Sequence, residues 1–181
     1  MTLHNSIDEM MQEYAERASE LGRDFNVVLD YSEESLQGLE KILAQLSDEH
    51  RAALVQQNPA LAPPHNVVQQ NPAPQNPGPE NPARAQNTAG LEAGVRGEVE
   101  EQMVMMAKLW GGYLGEVVRR RWGGEWAMET YPGGNFATLT LNVRGAKLFP
   151  SMKIYRRLTE GSGEDVWAFF QKIRQKLTAN P

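Results

Sequence analysis

Apolar positions in the first fifty residues recur with a helical period. Ser6 and Glu9 have the spacing of a capping box, and Ile7, Met10, Met11, Tyr14, Ala18 and Leu21 then share one face until Gly22 ends the run. After Phe25 and the apolar stretch 27–29, Ser32 is placed to cap a second helix, in which Leu36, Leu39, Ile42, Leu43 and Leu46 form another stripe. An isolated pair of short helices is marginal in water, so both stripes need a partner.

That partner lies in the second half. From Leu91 a long helical pattern runs through Val95, Val99, Met103, Met106, Trp110, Tyr113, Leu114 and Val117 to about Arg121, where Gly123 and Gly124 stop it. Met103, Met105 and Met106 read as core-filling side chains. Gly111 and Gly115, four apart on one face, read as a notch for close packing. The period then changes to two. Residues 126–131 alternate, Pro132, Gly133, Gly134 and Asn135 make a turn, and 136–143 alternate again with Ala137, Leu139, Leu141 and Val143 on one face. Arg144 and Gly145 signal a second turn and a short third strand over 146–149, before Pro150 interrupts. A helix over 152–158 and, after Gly161-Ser162-Gly163, an amphipathic helix marked by Val166, Trp167, Phe169, Phe170, Ile173 and Leu177 complete the pattern. The class is α+β: helices packed against a small antiparallel sheet of two or three strands.

Composition divides the 181 residues into three. Residues 56–90 hold eight of the eleven prolines, six glutamines and no aromatic residue, with Asn-Pro pairs at Asn58, Asn71, Asn76 and Asn81. Such a Pro/Gln/Asn-rich stretch reads as a disordered linker, because its prolines remove backbone donors and it has little apolar surface to offset ordering entropy. The segments on either side differ in charge. Residues 1–55 carry four Lys+Arg against twelve Asp+Glu, and residues 91–181 carry thirteen against ten. An acidic helical segment too small for its own core is therefore expected to dock on a basic α+β body and share one core with it. A linker of this length also makes a homo-oligomer by segment swapping feasible.

Little catalytic chemistry is available. The absence of cysteine excludes thiolate nucleophiles, disulfides and cysteine-ligated metals. His4, His50 and His65 all precede residue 91, so the aromatic-rich half has no histidine base. No metal-ligand spacing, Walker loop or dinucleotide fingerprint is present, and no cofactor is expected. The polar, acidic N-terminus and the lack of an apolar run of about 18 residues predict a cytoplasmic protein with no membrane contact.

The most distinctive stretch is 109–126, LWGGYLGEVVRRRWGGEW, which contains three of the four tryptophans. Its interaction candidates are Glu116, Arg119, Arg120, Arg121, Trp122 and Glu125. Tryptophan and arginine are favoured anchors at protein interfaces, and at least one arginine is expected to pair with the acidic N-terminal helices. Glu116 or Glu125 beside tryptophan is the sole acid/base option, although Glu116 has Arg119 and Arg120 at ion-pair spacing. The run from Arg119 to Trp122 also permits a nucleic-acid reading. An overall charge of −5, and the fact that consecutive helical side chains diverge, argue against it.

Together with LDYSEESLQGLEKIL at 29–43 and FPSMKIYRRLTEG at 149–161, this block resembles a family of small bacterial proteins known as a domain of unknown function, whose central motif reads YLGE, then basic residues, then GGEW. The resemblance implies an acidic helical lead-in, an α+β body and variable spacing between them, and carries over no functional residue. The function expected from the sequence is thus a non-catalytic protein-interaction module, of adaptor or inhibitor/immunity kind. The alternatives are an enzyme using Glu116 or Glu125 on a small molecule, and a nucleic-acid binder.

Overall fold

A computed structural model describes residues 3–57 and 82–179. Five α-helices pack against a three-stranded antiparallel sheet: α1 (Leu3–Gly22), α2 (Ser35–Gln57), α3 (Pro82–Trp122), β1 (Glu125–Thr130), β2 (Ala137–Val143), β3 (Ala146–Leu148), α4 (Pro150–Glu160) and α5 (Val166–Ala179). The sheet is a meander in which Trp126 faces Leu141 and Leu141 faces Leu148 across the strands. One buried cluster draws on every helix and on β1 and β2, from Met11 and Ala18 through Leu39 and Tyr113 to Trp126 and Phe170.

Both N-terminal stripes point into this cluster, with Met11, Ala18, Leu36, Leu39, Ile42 and Leu43 buried. The Ser32 hydroxyl accepts the Ser35 amide at 3.2 Å and so caps α2 as its sequence predicts. Ser6 does not cap α1, because the helix already begins at Leu3 and Ser6 lies exposed within its first turn. The predicted linker falls mainly on residues 58–81, outside the described residues. The described chain resumes at Pro82, the first residue of α3. Pro82 is the last proline of that stretch, and its fixed φ suits the first helical position, so helix formers after it continue directly into the core-facing part of α3.

Charge and hydrogen bonding fix the N-terminal segment to the body. The buried Arg157 guanidinium binds Glu40 at 2.6 Å, and the other Glu40 oxygen accepts the Val166 amide at 2.8 Å, capping α5. The wholly buried Tyr113 hydroxyl accepts the Tyr31 amide at 2.8 Å and bonds the Ser35 hydroxyl at 2.7 Å, which ties α3 to the α1–α2 connection. Burial raises the Tyr113 pKa, so the phenol stays neutral and keeps its proton for this network.

The glycine notch has two occupants. A Cβ at Gly111 would lie 2.6 Å from the Ser151 backbone at the start of α4, and one at Gly115 would overlap the Trp126 ring. At the second turn Arg144 (φ 47°) and Gly145 (φ 74°) both adopt the left-handed conformation that a two-residue hairpin between β2 and β3 requires. The Arg144 guanidinium then donates to the Leu177 carbonyl at 3.2 Å.

Three finer expectations are corrected. Met105 is exposed, because Met103, Ala107 and Trp110 already occupy the buried face of α3. Ala137 is exposed at the end of β2 next to the turn, so the apolar face of that strand starts at Leu139. Pro150 does not end a strand but opens α4 at its first position. If Gly115 is held by the indole, Gly115→Ala should lower the unfolding free energy by about 2 kcal/mol or more in denaturant titration. Gly97→Ala, at an exposed helical site with no atom nearby, should instead raise it by about 0.5–1 kcal/mol.

Candidate functional site

Glu116 and the indole it holds occupy the junction of α3 and β1. The carboxylate is 3% exposed, and its Oε1 accepts both the Trp126 Nε1–H and the Arg119 Nε–H at 2.9 Å. An indole N–H in a core needs an acceptor, and a buried carboxylate needs charge-assisted donors, so the two requirements are met at one oxygen. Two internal donors engage this one oxygen, and the carboxylate borders a small opening of about 320 Å³ that Gln12, Arg119, Arg120, Gly123 and Gly124 also line.

The remaining candidates diverge. Arg120 lies over the Tyr31 ring, 3.4 Å from its centroid, as a cation–π contact. Arg121 Nε is 2.9 Å from Glu33 Oε1, a charge contact without an aligned hydrogen bond, and Arg174 reaches the other Glu33 oxygen at 3.3 Å. Trp122 is half-buried against Phe170, ring centroids 5.9 Å apart. Glu125 is exposed at the start of β1, on the opposite face of the sheet from Trp126. The structure thus brings Glu116, Arg119 and Arg120 to one small opening beside Gly123 and Gly124, and sends Arg121 and Trp122 to separate partners. At least one arginine does meet the acidic segment, through Glu33 just before α2.

A different place on the surface is concave and unfilled. A cavity of about 470 Å³ is lined by Met10 and Tyr14 of α1, Val104, Ala107 and Lys108 of α3, Met128 and 136–139 of the hairpin, and Ser151, Met152 and Tyr155 of α4. This volume falls within the roughly 300–1,000 Å³ of small-molecule sites. Val104, Met128 and Phe136 at its mouth are 40%, 52% and 48% exposed, and Met105 stands beside Val104 on the same helix. Three of the five large exposed apolar residues of the described chain therefore line one cavity. Phe136 is held in place by stacking on Tyr131, with centroids 5.5 Å apart.

The sequence carries a signal for this groove only in retrospect. Met103, Met105 and Met106 invite a core reading, and which of them faces outward depends on where α1 and α4 cross α3. The hairpin positions Met128 and Phe136 look like ordinary alternating strand residues until α1 leaves their end of the sheet uncovered.

Other clusters neutralise themselves. In the cleft beside α4 and α5, Lys147 pairs with Glu129, Lys153 with Glu164, and Arg156 with Glu160 and Glu164. Among the described residues no group of three or more His, Asp or Glu side chains could hold a metal ion, and no helix is long and apolar enough to cross a membrane. No protein-family model, curated protein or solved structure matches the chain.

Removing the shared acceptor should be costly. Glu116→Ala, which strands the indole N–H, should lose about 2–3 kcal/mol of stability in denaturant titration, and Glu116→Gln, which keeps an acceptor, about 1 kcal/mol. The hydrogen bond from Lys153 holds the Glu164 carboxyl below its ordinary pKa of 4.5, against an opposing effect of burial. A lowered folded-state pKa gives stability that is present above the unfolded value and lost as pH falls through the folded one. The difference in unfolding free energy between the wild type and Glu164→Gln should accordingly be largest near neutral pH and vanish on acidification below 4.5.

Proposed function

We propose that this chain is a non-catalytic protein-interaction module, of adaptor or inhibitor kind, and that its contact face is the rim of the groove between α1, α3, the β1–β2 hairpin and α4. The observation that carries the reading is the gathering of Val104, Met128 and Phe136 around one concavity. Apolar side chains clustered on an otherwise polar surface mark a place where another molecule excludes water. Methionine at such a rim adapts its shape to what it meets.

The alternatives draw less support. Glu116 lines a small opening together with Arg119 and Arg120 but is engaged there by Arg119 and Trp126, and Glu125 stands open on the surface, so neither carboxylate is a free acid or base in a pocket away from arginine. Arg119 pairs with Glu116, Arg120 covers the Tyr31 ring and Arg121 meets Glu33, so each of the three cations is already engaged within the chain. Kinship with the bacterial family that shares the YLGE…GGEW motif belongs to the same proposal. It fits a motif whose conspicuous residues serve the fold.

The double variant Met128→Asp/Phe136→Asp should keep the melting temperature within a few degrees, as exposed positions do, while abolishing co-purification of partners that wild-type bait retains from the native host. Arg121→Ala should retain those partners. The reverse pattern would return the contact face to residues 119–122.

A further inference from the structure

The residues of the 109–126 motif serve the fold with part of their bonding capacity, and the remainder meets at one place. Gln12, Glu116, Arg119, Arg120, Gly123 and Gly124 line an opening of about 320 Å³ beside the end of α3, and every side chain there is polar. Glu116 is 3% exposed and gives its Oε1 to Arg119 and Trp126. Among the described residues its Oε2 has no donor, yet it is not sealed off as the unbonded Tyr31, Glu33 and Ser151 oxygens are, so it meets the opening. A carboxylate so deeply buried, with one oxygen unbonded at a concavity, asks for a donor from outside the chain. Two guanidinium groups border the same space with donors to spare. Arg119 spends only Nε on Glu116, and Arg120 spends only its flat face, 3.4 Å from the centre of the Tyr31 ring. A guanidinium stacked on a ring keeps its N–H groups in its own plane, available at the edge. Tyr31 holds the left-handed conformation (φ 64°), a costly one for so large a side chain, and its ring is the platform beneath Arg120. The Gly123 amide returns to the Arg119 carbonyl at 2.8 Å, and the later carbonyls end α3 without helical partners, which adds negative potential to that of Glu116.

Donors and acceptors of both charges thus share one small space, and neither a simple anion nor a simple cation satisfies both. We infer that this opening binds a free α-amino acid by its charged end. The carboxylate accepts from the edges of Arg119 and Arg120, and the ammonium donates to Glu116 Oε2. An α-amino acid holds its two charges one carbon apart, and the opposite charges that receive them are equally close, Glu116 and Arg119 being in contact at 2.9 Å. Each charge of the ligand then loses water only where it meets a counter-charge, the condition under which burying ions is tolerable. The opening shares no residue with the groove, so this site goes beyond the protein-contact reading and does not require it.

Titration of the isotope-labelled full chain with each standard free amino acid in turn tests the assignment, read by NMR at the Gly123 and Gly124 amides and the Trp126 indole N–H. The expected result is saturable shifts of these resonances with at least one amino acid. The N-acetyl derivative of that amino acid, which lacks the ammonium, and its carboxamide, which lacks the carboxylate, should each bind at least about tenfold more weakly. Glu116→Gln should weaken the parent amino acid by about tenfold, and so should Arg120→Met, which changes an exposed position and keeps an apolar cover over Tyr31. Derivatives that bind as well as the parent, or an affinity unaffected by Arg120→Met, would overturn the site. So would the absence of saturable shifts with every amino acid. None of these outcomes bears on partner capture by the Met128/Phe136 rim, so the two readings fail separately.

Discussion

A single oxygen, Glu116 Oε1, governs how the two halves of the body meet. It accepts the Trp126 indole from β1 and the Arg119 guanidinium from its own helix, and the indole ring fills the gap left by Gly115. This arrangement fixes the angle at which the chain leaves α3, through Gly123 and Gly124, and enters the sheet. With Trp126 anchored, its neighbour in the ladder, Leu141, is set as well, and the meander follows in register. Asp8 of α1 adds a further restraint by accepting the Trp126 amide at 3.1 Å on the outer side of the strand. A buried carboxylate of this kind stabilises only because each donor is supplied by the fold itself.

That interaction also explains why the most conspicuous motif is structural. Gly115, Glu116 and Trp126 are three parts of one packing solution, and Arg119 completes it. The face that remains for function is chemically plainer, built from methionine, valine and phenylalanine. Residues that a fold cannot satisfy internally are better guides to binding than residues that are merely rare. By that measure the exposed Phe136 ring is more informative than the run of three arginines.

Much of the architecture was legible from periodicity. The stripes of α1, α2 and α5, the Ser32 cap, the Gly111/Gly115 notch, the glycine stop and both turns of the meander follow from local rules, because each depends on neighbours within a turn or a strand. The start of α3 was less legible, since a composition window averages Pro82 with the helix formers behind it. Met105 and Ala137 were assigned to the core because amphipathic patterns mark a face but not its width. The groove was not legible at all. It arises where α1, α3, α4 and the hairpin leave space between them, a property of element placement that no single segment encodes. The opposite charges of the two segments did forecast their docking, through Arg157–Glu40 and Arg121–Glu33.

The Glu40 carboxylate has a consequence for how the chain acquires its structure. It caps a helix that begins 126 residues later, so the start of α5 is completed by a group made long before it. During synthesis the acidic N-terminal segment must wait, with its apolar stripes uncovered, until α5 has emerged. Closure of the C-terminal helix onto Glu40 makes the two ends one cooperative unit, in which loosening either end loosens the other.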